Sequence, residues 1–393
     1  MSLFNFLILA YSVGLQVPSR VLITGGRAPV ALEWARALSN QGYEVHIADS
    51  LKFNLTRFSS AVFKFHLLPE AHSDPKKYVN AIASLCKKNG IETLLPTCEE
   101  IFYLSWGKEK IEKYAHLLSN ELSILRKIHS KFEFSKLVDD FEIHCPKTTL
   151  IETESELDLY REQSRKLVFK PEFSRFASET LIQPQSKELQ NIQPTPQKKW
   201  VIQEFVGGTE YATHGFSLNG KFISNTIYEP KYKFGKGSGT YFKKVENQKI
   251  DNFVRKFCRR YKIHGQIGFD FIEKSNGDIF VLEGNPRATS GIHLREPSLR
   301  PGHTSIERTA RMVTPATILA QIGFRFNSLL NISFWKDLRQ AKDVILTRKD
   351  LLPLLSQFLC FVEILYRSIT RKIKLTSAAT YDIEWNGGSF ESE

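Results

Sequence analysis

The chain has 393 residues, more than one hydrophobic core usually serves, and 42% hydrophobic against 24% charged residues mark it as globular rather than disordered or fibrous. Its 54 Lys and Arg against 42 Asp and Glu leave a charge of +12, which suits an anionic ligand or surface, but without a zinc-finger spacing, an RNP-type aromatic motif or a basic tail no nucleic-acid partner is expected. Five cysteines (Cys86, Cys98, Cys145, Cys258, Cys360) are odd in number and lack a CxxC pair, which argues against a disulfide framework or structural zinc site and fits reduced thiols in a cytoplasmic setting.

Residues 1–19 form an apolar run broken by Asn5, Ser12 and Gln16. It lacks the Lys/Arg flank of a secretory signal and is short for a membrane span, so a packed N-terminal segment or an early start codon is expected. From Arg20 the pattern is a strand over 21–24, a Gly25-Gly26 turn, a helix over 30–41 ended by Gly42, and a strand over 45–49. A helix over 75–89 ended by Gly90 and a strand over 93–96 follow. Such alternation predicts a parallel, doubly wound α/β unit over 20–120. Next come helices over 122–139 and 154–163, a strand over 166–171 and a polar loop over 183–199. From Trp200 the chain reads as β-strands joined by tight turns, with Asn219-Gly220 and Asn276-Gly277 as hairpin signals. Residues 329–393 are helical, and the apolar stretch 351–369 is interrupted by Pro353, Gln357, Glu363 and Arg367. That pattern predicts a packed amphipathic helix rather than a membrane span. The expected fold class is α/β followed by α+β.

Two apolar strands, 265–273 and 279–287, flank Asn276-Gly277. A two-residue turn there places Asp270 directly opposite Glu283, with Asn285 two residues on and on the same face. Facing positions hold their Cβ atoms about 4.5–5.5 Å apart, where like charges repel. A bound cation offsets that repulsion, and two carboxylates with an amide oxygen suit Mg²⁺ accompanied by phosphate oxygens. Arg287, just beyond, is suited to a phosphoryl group or an oxyanion. On an exposed face the two acids would simply be solvated; Ile272 and Val281, expected on the same face, argue for partial burial.

The acid, the Glu and Asn two residues apart and the following Pro286-Arg287 resemble the end of an ATP-grasp domain. The likeness is nearest to ligases with a carbamoyl-phosphate-synthetase-type core, with motifs in order from Arg20 to about Gly323. It implies Asp270, Glu283 and Asn285 as ligands of Mg²⁺, or Mn²⁺, on the phosphates of ATP. It implies Lys170, before Pro171, as the lysine reaching the α/β-phosphates, and Lys131 as an earlier phosphate lysine, here preceded by Ser130 where the family often has Asp. Residues 201–210 resemble the adenine hinge, with Gln203, Glu204 and Val206 at the ring and Glu210 on the ribose. The family's glycine-rich loop after the Lys-Pro strand is absent: 172–180 holds no glycine, leaving Ser174, Arg175 and Ser178 as the phosphate contacts there. A second loop, 235–240, is glycine-rich and is either mobile near the γ-phosphate or a surface connection.

The same resemblance reads 20–120 as the domain that precedes an ATP-grasp domain, 121–328 as the ATP-grasp domain with lobes 121–199 and 200–328, and 329–393 as a helical extension. Gly25-Gly26 with Asp49 suggests a dinucleotide fold superficially, but the GxGxxG spacing is missing. Thr97 and Glu99, at a strand end of the first unit, are candidate substrate contacts or ordinary residues of a helix start. His214, His293 and His303 are expected to be structural. The implied activity is carboxylate activation by ATP as an acyl phosphate, then attack by an amine, with Lys170 and Arg287 catalytic. The expected partners are a small carboxylate and an amine. The alternative is a nucleotide-binding regulatory or peripherally membrane-associated protein without turnover, suggested by the basic balance and the apolar stretch 351–369. Oligomeric state has no signal.

Overall fold

Three sheets organise the chain in a computed structural model that describes residues 19–175, 179–234, 238–303, 305–314, 317–318, 332–388 and 390. The apolar run up to residue 18, Ser178, residues 235–237 of the second glycine loop and the expected boundary at 328 lie outside the described residues.

The first sheet is built from β1 (Arg20–Thr24), α1 (Pro29–Asn40), β2 (Glu44–Asp49), β3 (Lys64–Leu67), α2 (Pro75–Asn89), β4 (Thr93–Leu95), α3 (Glu100–Trp106), α4 (Lys108–Ile111) and β5 (His116–Leu117). Its strands are parallel in the order β3-β2-β1-β4-β5. Local chemistry sets the helix ends. The Asp74 carboxylate accepts the Lys77 N–H at 2.8 Å, Pro75 opens α2, and Gly90 closes it at φ 61°. The turn after β1 needs Gly25, whose φ is +74° and whose Cβ would lie 2.6 Å from Thr97 Oγ1.

The expected helix over 122–139 is two helices, α5 (Leu122–His129) and α6 (Lys131–Leu137). Ser130 is extended between them (φ −65°, ψ 117°), and its hydroxyl accepts the Glu133 N–H at 3.1 Å and donates to the Glu172 carboxylate. Then come β6 (Thr148–Ile151), α7 (Glu154–Asp158), β7 (Leu167–Pro171), β8 (Leu181–Ile182) and β9 (Trp200–Glu204), paired antiparallel as β6-β9-β7-β8. α7 is shorter than the expected 154–163, and the polar loop before β9 includes a 3₁₀ turn, Ser186–Asn191, that buries Leu189.

The third sheet takes β10 (Thr209–Leu218), β11 (Lys221–Phe234), β12 (Ser238–Val245), β13 (Gly265–Glu273), β14 (Ile279–Asn285), β15 (Ala310–Met312) and β16 (Lys342–Asp343) in the order β14-β13-β10-β11-β12-β15-β16. Asn219 and Gly220 form the expected two-residue turn, both with positive φ (50° and 80°). α8 (Gln248–Arg260) packs on this sheet, with Phe257 edge-on to Phe269 at 4.9 Å between centroids. α9 (Ile332–Gln340), α10 (Leu352–Arg371) and α11 (Leu375–Ala378) complete the chain. The apolar stretch 351–369 forms α10, but the expected packing through its apolar side is not found: much of that side is exposed. The chain end returns to the first sheet, where Trp385 stacks on Phe102 at 4.7 Å.

Candidate active site

The β13–β14 hairpin departs from its predicted form twice, and the departures cancel. Glu273 pairs with Ile279 and the Lys274 N–H donates to the Asp278 carbonyl, so the connection is Ser275-Asn276-Gly277 rather than two residues, with Gly277 at φ 84°. A β-bulge between Asp270 and Phe271 then adds Leu282 to β14 and restores Asp270 opposite Glu283. The bulge also changes the faces. Val281 is fully buried with Phe271 in the core beneath α8 instead of sharing the acids' face, and Leu282 lines the cavity in its place.

This cavity, about 460 Å³, lies between the four-stranded and seven-stranded sheets. One end is polar and holds Lys131, Lys170, Asp270, Glu283, Asn285, Arg287 and Ser174. The other is lined by Val168, Ile182, Phe205, Val206 and Ile272. The hairpin, two strands of the smaller sheet and the helix break at Ser130 thus bring together residues from 131 to 287. Lys131 is buried at the first turn of α6, with Nζ 3.6 Å from Glu283 Oε2 and donating to the Ser174 carbonyl at 3.0 Å. Lys170 Nζ donates to Gln203 Oε1 at 3.0 Å, and Gln203 Nε2 donates to Thr148 Oγ1 at 2.9 Å. Gln203 therefore holds the lysine rather than facing the apolar end as the hinge reading had it.

Electrostatics follow from this crowding. Burial and the facing Glu283 push Asp270 up to about 7. Burial alone would raise Glu283 too, but Lys131 and Lys170 outweigh it and hold Glu283 down at about 2. Burial lowers Lys170 as well, against the pull of Glu283. The raised Asp270 beside the lowered Glu283 marks crowded negative charge, which a divalent cation would relieve. Among the described residues no group of three or more His, Cys, Asp and Glu is arranged to hold a metal ion by itself. Two carboxylates and one amide form a sparse oxygen set, which fits an ion whose shell a ligand's own oxygens complete. Asn285 donates through Nδ2 to Asp270 at 3.2 Å, while its Oδ1 accepts from Arg287 at 3.2 Å, so presenting that oxygen to a cation requires the amide to turn.

At the apolar end, the Glu204 N–H donates to the Lys147 carbonyl and the Phe205 N–H to the Lys166 carbonyl. The Val206 N–H has no hydrogen-bond partner among the described residues, and Val206 lines the cavity. Glu210 lines the cavity and pairs with Lys233.

Other sequence candidates lie elsewhere. Arg175 is not free for a phosphate: it binds Glu99 and Glu384. Glu99, buried and held ionised against its burial by Arg175, also faces Arg287 at 3.8 Å. Thr97 is spent on the Thr24 carbonyl at 2.7 Å. Asp49, the acid of the dinucleotide reading, is taken by Arg27, whose backbone N–H donates to it at 2.8 Å. His214 and His293 are buried in structural hydrogen bonds, to the Thr289 N–H and to Glu33. Thr148 and the tail residues Glu384 and Trp385 carry no local sequence signal that marks them as parts of this region.

Residues 128–291 match the family model for the ATP-grasp domain. No curated protein matches the chain in sequence. Among solved structures, an N5-carboxyaminoimidazole ribonucleotide synthetase in its ADP complex has a TM-score of 0.57 at 14% identity, over 71% of this chain and 73% of that one. The L-amino acid ligase of Bacillus licheniformis gives 0.56 at 15%, over 70% and 69%. The biotin carboxylase domain of the Hydrogenobacter thermophilus 2-oxoglutarate carboxylase, complexed with MgADP and bicarbonate, gives 0.56 at 11%, over 79% and 71%. The fold is that of the ATP-grasp proteins. Residues 128–291 carry the match to the ATP-grasp family model, and the likeness of the chain to the solved structures is one of fold.

Proposed function

We propose that this protein is an ADP-forming ligase that uses ATP and Mg²⁺ to activate a carboxylate as an acyl phosphate for attack by an amine. One observation carries the reading: Asp270 faces Glu283 beside two buried lysines, Lys131 and Lys170, inside a cavity that also has an apolar end. Its size lies within the range of small-molecule sites. Adenine fits between Val168, Ile182 and Phe205, with the Val206 N–H and the Glu204 carbonyl bonding its edge. Glu210 accepts the ribose hydroxyls once released from Lys233. Lys131, Lys170 and Ser174 meet the phosphates, and Asp270, Glu283 and a turned Asn285 would hold Mg²⁺, which would supply positive charge to offset that of the transferring phosphoryl group.

The substrate carboxylate attacks the γ-phosphorus in line, giving the acyl phosphate and ADP. An amine then attacks the acyl carbon, phosphate leaves, and Arg287 stabilises the oxyanion between these events. No protein side chain becomes covalently modified. The five free thiols accord with a reducing compartment.

A screen of acid and amine pairs for ADP and phosphate release tests the reading. Glu283→Gln is expected to lower turnover at least about a hundredfold and to weaken Mg²⁺-dependent nucleotide binding, with the melting temperature largely kept. Wild-type turnover in that variant sinks the assignment. Tight Mg²⁺–nucleotide binding with no phosphate release from any pair would instead favour the regulatory alternative.

A further inference from the structure

A helix on the surface of a globular protein normally turns its apolar stripe inward. α10 does the opposite. Its inward edge is fastened by polar groups: the Ser356 hydroxyl donates to the Leu55 carbonyl at 2.9 Å, and Glu363 accepts the Lys52 and Phe53 N–H groups at 3.0 and 2.7 Å. Arg367 donates to Asp382 at 2.8 Å and to the Ser50 carbonyl at 2.7 Å. The outward side carries Leu355, Phe358, Val362, Leu365, Tyr366 and Ile369 at helical spacing, exposed by 66, 70, 45, 39, 67 and 67%. Only 17% of the most apolar 18-residue window is buried, at a mean hydropathy of 1.3.

Charge says what covers this face. Arg348 and Lys349 precede the helix, and Lys372 and Lys374 follow it; all four are exposed and have no ion-pair partner among the described residues. The only acids from 346 to 376 are Asp350 and Glu363, and both are engaged inward, Asp350 with Arg36 and Ser59. An apolar stripe with unpaired cations at both ends and no outward acid is complementary to a lipid surface of negative charge. A second copy of the chain fits worse, because pairing this face along its length about a two-fold axis sets cationic ends against cationic ends. Residues 1–18 are apolar but hold no acid, so they offer nothing to neutralise these cations.

We infer that α10 is an in-plane membrane-binding helix that seats the protein on anionic phospholipid. The helix lies along the surface rather than across the bilayer. Spanning would tear Ser356, Glu363 and Arg367 from their partners and carry two charges into hydrocarbon, whereas in-plane burial of the outer stripe leaves every one of those bonds intact. This stands apart from the ligase proposal, since the face is not part of the nucleotide cavity.

Vesicle flotation of the full-length chain tests it, with phosphatidylcholine alone against equimolar phosphatidylcholine and phosphatidylglycerol. The wild type is expected to float with the anionic vesicles and to leave them as salt rises. Leu355→Glu with Phe358→Glu, both on the exposed stripe, is expected to lower the partition at least about tenfold without moving the melting temperature or its shift with Mg²⁺–ADP. Lys372→Glu with Lys374→Glu is expected to remove the preference for the anionic vesicles. The inference is overturned if the wild type does not float with anionic vesicles. It is equally overturned if the Leu355/Phe358 variant floats as well as the wild type, which would give the binding to another segment. A dimer in solution that this variant dissociates, without vesicle affinity, would assign the face to a second copy.

Discussion

Glu33 shows how one buried residue ties two sheets together. It sits on α1, against the first sheet, yet its partners come from the third sheet and the segments beside it: His293 Nδ1 at 3.1 Å, Arg308 at 2.6 Å and Arg311, in β15, at 3.8 Å. Burial pushes its carboxyl up, but the hydrogen bond from His293 and the charges of the two arginines outweigh that and hold it at about 2, against 4.5 for a free glutamate. The folded-state value is depressed, so the stabilisation is present above about 4.5 and drains away as pH falls towards 2. That span corresponds to roughly 3 kcal/mol. Glu33→Gln strands Arg308 and Arg311 without their counter-charge, and urea unfolding at neutral pH is expected to show a loss of about 3 kcal/mol. The variant's stability should also fall less steeply than the wild type's below pH about 4.5. A variant with the wild-type acid limb would mean that other carboxylates govern it.

At the scale of elements, Ser130 is the most consequential short feature near the cavity. It caps α6, bonds Glu172 just beyond β7, and fixes where Lys131 starts its reach to Glu283. Ser130→Ala is expected to cost about 1 kcal/mol of stability, as other lost caps do. It should also raise the KM for ATP severalfold while kcat changes less, because the lysine's starting point rather than its charge is disturbed. Steady-state kinetics with urea unfolding would check both, and an unchanged KM would separate the cap from the site. The sequence shows why this break was illegible while α2 was read to its ends. Asp74, Pro75 and Gly90 mark α2 locally, whereas apolar spacing runs on through Ser130 and the residue that selects the break, Glu172, lies far along the chain. The acid pair was legible because residues 270 and 283 are close in sequence, and even so only because the longer turn and the Leu282 bulge offset each other. Gln203's grip on Lys170 was hidden for the opposite reason: it depends on the pairing of β7 with β9, which no local pattern records.

On the scale of the whole molecule, the last residues connect the first sheet to the loop beside the candidate phosphate lysines. Trp385 is 3% exposed, stacks on Phe102 at 4.7 Å and meets Phe173 edge-on at 5.1 Å; its indole N–H donates to the Gly388 carbonyl at 3.0 Å. Glu384 and Glu99 share Arg175, and Arg27 and Arg367 converge on Asp382. Phe173 thus leans on the tail, and Ser174, one residue on, accepts from Lys131. Phe173 and Ser174 therefore owe part of their placement to the tail residues packed beneath them. Trp385→Ala opens a cavity under Phe102 and Phe173 and is expected to cost about 3–5 kcal/mol in urea unfolding. If the tail also positions the loop, the KM for ATP rises about tenfold in the same variant, while Trp385→Phe, which keeps a ring in the stack, restores most of both. Lost stability with an unchanged KM would confine the tail to the core of the first sheet. A risen KM that Trp385→Phe rescues would make the chain's end part of how the cavity is held ready for its ligand.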